Sequence, residues 1–260
     1  MDEIKFLRPK LTRLKLSGML ETLSHRMDQA ISERWSYSQF LDILLTDEVE
    51  RRDQKQLSRR LVRSELDPEQ TLETFDFLFN PRIHKNVFKE LALCGFMEKR
   101  ENLFLLGPTG VGKSHLAQAL GHEACRKGHE VIFRHIGKLV QWIRAGKGDG
   151  SYERRLNYAC SIDLLILDDF GLQPLSEEQQ SDLFEIISER YGKKSLIITS
   201  NRDFNEWPAV FKNPLMGSAA MDRLVHRATK VAIEGPSFRT DAFKKRTKEL
   251  TKDQEESKLN

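Results

Sequence analysis

The chain is poor in cysteine: its 260 residues include only Cys94, Cys125 and Cys160, scattered without C-x-x-C spacing. This excludes a disulfide framework and a thiolate zinc site, and Cys125, on the helical face that carries Ala117, is expected in the core. No apolar run approaches the about 20 residues that span a bilayer. The Met-Asp-Glu start has no apolar signal segment after it. The expectation is a cytoplasmic protein with no membrane association. Neither sign of charge dominates: Lys+Arg 42 against Asp+Glu 39 leaves +3, so overall charge does not establish nucleic-acid binding. Aromatics make up 8%, and few accompany the basic runs, which counts against a base-stacking channel for single strands. No internal repeat is apparent.

At 39% hydrophobic and 31% charged, the chain has material for one sizeable core and a smaller helical part. Its most specific segment is Gly107-Pro108-Thr109-Gly110-Val111-Gly112-Lys113-Ser114, which matches GxxxxGK[ST]. The context is the one that motif requires. An apolar run, 102–106, precedes it and an amphipathic helical pattern from Ser114 to Lys127 follows, with Gly128 as a stop. The glycines let the backbone aim N–H groups at phosphate oxygens. Lys113 is then placed for the β/γ phosphates and Ser114 for Mg²⁺. ATP and Mg²⁺ are the expected ligands.

Two further strand ends carry polar chemistry. Residues 163–168 form a buried-strand pattern ending in Asp168-Asp169, suited to holding Mg²⁺ through Asp168 and orienting a water through Asp169. Residues 195–199 precede Ser200-Asn201, where an amide beyond a buried strand can touch the γ-phosphate. Runs at 130–135 and 229–233 complete five candidate strands alternating with helical patterns, and Ser176 with Gln179 marks a capped helix start. The fold class read from this is α/β, a parallel five-stranded sheet flanked by helices.

The set GPTGVGKS, LLILDD, IITSN, MDRLVHRA and EGPSFR resembles the AAA+ ATPases of the DnaC/IstB group, and within it the IstB-like transposition helpers, over roughly residues 1–240. The resemblance implies an AAA+ P-loop ATPase that oligomerises on duplex DNA, selects or remodels target DNA and recruits a cognate transposase. The alternative is a DnaC-like replicative helicase loader; a small-molecule P-loop kinase and a non-hydrolysing scaffold are further readings. The resemblance also makes Arg223 the arginine acting in trans on a neighbour's nucleotide and Arg239 a short sensor-2 element acting in cis. Phe75, ahead of the first strand, corresponds to an apolar contact for adenine, although core packing is an equal reading of that residue.

Two departures from the wider AAA+ pattern stand out. Asp169 replaces the usual Glu and is one methylene shorter, implying slow or partner-stimulated hydrolysis. The stretch after Arg239 is too short for a full helical lid. The expected organisation is a helical domain over 1–68 for DNA or partner binding, an ATPase domain over 69–239, and a charged, disordered tail over 240–260.

Two basic surfaces are candidates for DNA phosphates. Arg52, Lys55, Arg59 and Arg63 share one face of a helix whose apolar stripe runs through Leu41, Leu45, Val49, Leu57 and Leu61. The second is a flexible loop at 146–150, with Lys147, Arg154 and Arg155 among its basic shoulders. A solvated helix surface is the competing reading of the first.

Overall fold

Each of the first four strands carries a short apolar run, the second ending in Arg134-His135, and parallel strands covered on both sides need such runs. In the computed structural model, which describes residues 3–172, 174–241 and 243–244, these are β1 (Asn102–Leu106), β2 (Val131–His135), β3 (Leu164–Asp168) and β4 (Ser195–Ser200). A fifth, β5 (Ala228–Ala232), is more exposed. Together they form one parallel sheet in the order β2-β3-β4-β1-β5. All five therefore present their C-terminal ends along one edge, where ligands bind in sheets of this type.

The helices are α1 (Glu3–Arg13), α2 (Ser17–Ser32), α3 (Tyr37–Ser64), α4 (Lys85–Leu91), α5 (Gly95–Glu98) and α6 (Lys113–Arg126). After them come α7 (Ile136–Asp149), α8 (Tyr152–Ser161), α9 (Glu177–Arg190) and α10 (Pro214–Val225). Side chains alternate faces along a strand. Ile166 points at α6, where a Cβ on Gly121 would lie 2.8 Å from it, whereas Leu165 and Leu167 join the core formed with α7 to α10. The sheet is thus sandwiched between helices. The predicted capping box at Ser176 and Gln179 opens α9, and Cys125 is buried.

Arg190 ends α9 inside the protein. Its guanidinium donates to the carbonyls of Ala159 and Ile162 at 2.9 and 2.8 Å and to Ser195 at 2.5 Å. It thereby ties the end of α8 to the start of β4, and burial pulls its pKa down to about 9.

The chain divides into compact units over Met1–Arg60 and Leu61–Asn260. In the second, Leu66 is buried beside Gly121, and the Asp67 amide donates to Gln118 at 2.9 Å. In the first, Met19, Leu23 and Leu44 form a small core with Leu11, Leu16, Met27 and Phe40 against it. The α2 N-terminus has no capping side chain of its own. Glu48 of α3 supplies one, accepting from the Gly18 amide at 2.6 Å. Leu41, Leu45 and Val49, predicted to form the packing stripe of α3, are instead 52%, 47% and 56% exposed, because the helix turns Leu44 and Glu48 inward.

The glycine-rich segment predicted as a flexible loop is helical hairpin. α7 continues through Gly146 and Gly148, and Gly150 closes it in the left-handed region at φ +72. A Cβ at Gly146 would fall 2.7 Å from the Tyr152 amide, so that glycine permits α8 to double back tightly. No described helix is long and apolar enough to cross a membrane. After β5, residues 238–241 and 243–244 are helical, and most of the tail predicted over 240–260 lies outside the described residues.

Candidate active site

The P-loop leaves β1 at Gly107, whose amide donates to Ser200 at the end of β4 at 3.2 Å, and enters α6 at Lys113. Gly110 and Gly112 adopt φ +85 and +98, a region that side chains disfavour. Space at both is also limited. A Cβ on Gly112 would lie 2.7 Å from the Phe75 ring, and one on Gly110 would lie 2.2 Å from the Ser237 hydroxyl. The adenine candidate and the sensor-2 candidate segment thus both rest on the loop. Between them Pro108 and Thr109 are exposed, Val111 is buried and Ser114 is half-buried.

A polar stripe on α6 holds the segment that carries Phe75. Gln118 and His122 engage Asp67, the latter at 2.9 Å, and His115 Nε2 lies 2.8 Å from the Thr71 carbonyl. Phe75 packs edge-on against His115 and Phe77. On the other side, the Phe238 amide donates to the Gly110 carbonyl at 2.9 Å, which sets Arg239 beside the loop.

Lys113 is 6% exposed and its ammonium donates to the Pro108 carbonyl at 2.7 Å. Burial lowers its pKa; Asp169 and Asp168 act against that shift, and Arg239 adds to it. These four groups therefore share one electrostatic site. Asp168 is 1% exposed. Its Oδ1 accepts from the Thr199 hydroxyl at 2.5 Å, and the same Thr199 oxygen accepts from the Asp169 amide at 3.1 Å. Asp169 sits at φ +58, where the chain leaves β3, with its carboxylate half-exposed.

Thr199 and His135 are site residues that the sequence reading missed. β2 pairs with β3 so that His135 stands opposite Asp168, and its Nδ1 lies 3.2 Å from Asp168 and 3.4 Å from Asp169. The available signal was positional: each is a polar residue at the end of a strand flanking β3. Asn201 follows β4 directly and is exposed, next to the carbonyl that receives the Gly107 amide.

Arg223 stands elsewhere. It donates to the Ala219 carbonyl at 2.8 Å and lies 5.3 Å over the Phe184 ring. The neighbouring Leu224 carbonyl accepts from the side chain of Asn102, and the Arg227 carbonyl from its amide. That residue opens β1, so Arg223 belongs to the N-terminal edge of the sheet. A five-residue strand separates it from the P-loop by about 17 Å, too far for a guanidinium to serve its own chain's site.

The basic candidates divide as well. Arg52 is engaged by Glu48 at 2.7 Å and the Lys15 carbonyl at 3.4 Å. Lys55 and Arg59 are exposed, and Arg63 lines a groove with Arg134, Trp142 and Tyr158. Lys147 lies over the Tyr152 ring, and Arg154 is exposed. Arg155, predicted as a phosphate contact, donates to the Trp142 carbonyl at 2.7 Å and Asp149 at 2.9 Å. It braces the α7–α8 hairpin.

Residues 9–248 match the family model described as IstB-like ATP binding protein. Among individual relatives, a protein of Pseudomonas aeruginosa named for ATP binding in insertion sequence IS21 is 38% identical over 239 residues, 92% of this chain and 89% of its own. The AMPPCP-bound DnaA structure from Aquifex aeolicus is 28% identical with a TM-score of 0.55, covering 72% of this chain and 57% of that one. A DnaC helicase loader structure is similar in fold, at 21% identity and a TM-score of 0.55, over 64% of this chain and 98% of the loader. The five-stranded sheet, P-loop and flanking helices are those of an AAA+ domain.

Proposed function

Because the chain belongs to the family of IstB-like ATP-binding proteins, we propose that it is a cytoplasmic ATPase of an insertion sequence that assembles on duplex DNA, selects or remodels the target and recruits a transposase. The observation that carries the reading is the division of the site across the sheet. Lys113 and the Asp168-Asp169 pair converge at one edge, while Arg223 stands at the other. A second copy must therefore supply the arginine, and hydrolysis depends on assembly.

Within that reading, the amides of Gly107 to Ser114 cradle the phosphates, and Lys113 leaves the Pro108 carbonyl for the β/γ oxygens. The hydroxyl of Ser114 and the buried carboxylate of Asp168 are the hard oxygen donors that Mg²⁺ takes, and the ion would neutralise charge on the transferring phosphoryl group. Asp169 orients the attacking water, Asn201 contacts the γ-phosphate, Arg239 acts in cis, and Phe75 packs against adenine. Residues 1–68 serve DNA or partner binding, with Lys55, Arg59 and Arg63 as phosphate contacts and Lys147 and Arg154 on the hairpin as a second set.

The helicase-loader alternative calls for single-stranded DNA and therefore for open stacking surfaces. Trp142 is the obvious platform in the Arg63 groove, but the guanidinium groups of Arg134 and Arg155 already lie over its ring at 4.2 and 5.3 Å. This supports the duplex. Sedimentation on matched duplex and single-stranded DNA with ATP, ADP and a non-hydrolysable analogue tests the choice. Large assemblies on duplex that require the triphosphate state are expected. Assembly on single strands alone would overturn the reading in favour of a loader.

A further inference from the structure

The proposed hydrolytic chemistry uses Asp168 and Asp169 but leaves His135 without a role. Its imidazole is 43% exposed, so solutes reach it, and strand register holds it opposite Asp168. The Nδ1 to carboxylate separations are 3.2 and 3.4 Å. One donor atom from each of the three residues lies within 4.8 Å of the other two.

Those spacings suit a metal. Zinc bonds of about 2.0–2.1 Å put tetrahedral ligands about 3.3 Å apart. The donor set is also selective: imidazole suits zinc, copper, iron and nickel, whereas Mg²⁺ prefers oxygen alone and octahedral geometry. Three protein ligands leave a position open for water, as in exchangeable rather than closed sites. Lys113, the nearby cation, is drawn toward the Pro108 carbonyl.

We propose that His135, Asp168 and Asp169 form a binding site for a transition-metal dication of the zinc class that inhibits the ATPase. The ion takes Asp168 from the Mg²⁺ that accompanies ATP and ties up Asp169, the residue assigned to the water. The inhibitory half rests on the ATPase reading above; the binding half does not.

The experiment uses the full chain with Co²⁺ as a spectroscopic probe in the absence of nucleotide, followed by displacement with Zn²⁺. Wild type is expected to give visible ligand-field bands that Zn²⁺ abolishes and excess Mg²⁺ does not. Binding should weaken at least about tenfold in His135→Asn, since even outer partners of a metal ligand are worth that much. Asn keeps an N–H for the carboxylates but lacks the imidazole lone pair. Asp169→Asn should weaken binding as well, and thermal melts of both variants establish that they fold. Zn²⁺ inhibition of ATP turnover, normalised to each protein's own rate, should need at least about tenfold more ion in His135→Asn. Equal Co²⁺ binding in wild type and both variants would overturn the site. Binding that depends on His135 without Zn²⁺ inhibition would overturn the competition, and a chain with no turnover at all would refute the ATPase reading while leaving the metal site standing.

Discussion

Thr199 is the hinge of the acidic pair, and its removal has a calculable consequence. Its hydroxyl donates to Asp168 Oδ1 and accepts from the Asp169 amide, so Thr199→Val keeps the shape and deletes both bonds. A bond to a charged group contributes about 1.5–3 kcal/mol and a neutral one about 1. Asp168 is 1% exposed, so water cannot easily replace the lost donor. The combined cost of about 3 kcal/mol corresponds to a fall of about 6–12 °C in the melting temperature of a unit this size. None of the Thr199 bonds reaches the P-loop, so ATP affinity should hold within about threefold. If about half of the lost energy is also missing in the transition state, turnover falls about tenfold. Thr199→Ser retains the hydroxyl and should recover most of both. Thermal unfolding without nucleotide, ATP titration and steady-state phosphate release measure the three quantities. A Val variant melting within about 2 °C of wild type and turning over within about twofold would refute the account of how the pair is held.

Lys113→Ala should abolish ATP-dependent assembly on duplex DNA, read by sedimentation; unchanged assembly would remove the nucleotide switch. Arg223→Ala should bind ATP normally yet lose turnover, and mixing it with Asp169→Asn, which keeps the P-loop and Asp168 needed to bind ATP and assemble, should restore activity, because one variant keeps an intact site and the other an intact arginine. Failure of the mixture to recover any turnover would contradict action in trans. Glu48 answers to pH: burial pushes its carboxyl up, but the Gly18 amide, Arg52 and the Met19 amide outweigh this and hold it below the usual range. A carboxyl depressed on folding contributes stability above its unfolded pKa, about 4.3, and that contribution is lost as pH falls through the folded value. Amide exchange in α2, measured relative to the intrinsic amide rate at each pH, should therefore accelerate below about pH 4 in wild type. In Glu48→Gln it should already be faster at neutral pH and change less on acidification.

What could be read from sequence was what the chain encodes locally. The P-loop needs only eight consecutive residues and the right flanks, and β1, β3 and β4 announce themselves because strands covered on both faces must be apolar throughout. Asp168 and Asp169 were legible for the same reason, as acids ending such a run. Thr199 and His135 were not, since their importance arises from the order β2-β3-β4, which no short window contains. The same limit explains the basic residues. A helical wheel groups Arg52 with Lys55 and Arg59 but cannot see that Glu48 and the Lys15 carbonyl claim its guanidinium, or that Arg155 is committed to Trp142 and Asp149. Glycine was misread at 146–150 because its usual sense is flexibility, whereas at Gly146 the missing Cβ serves close approach of Tyr152. Position in the sheet also gives Arg223 its meaning. Its place near the β1 N-terminus follows from Asn102 holding the Leu224 carbonyl, and in the proposed mechanism it faces another molecule's nucleotide. On that reading the site is completed only between copies, and turnover reports on assembly.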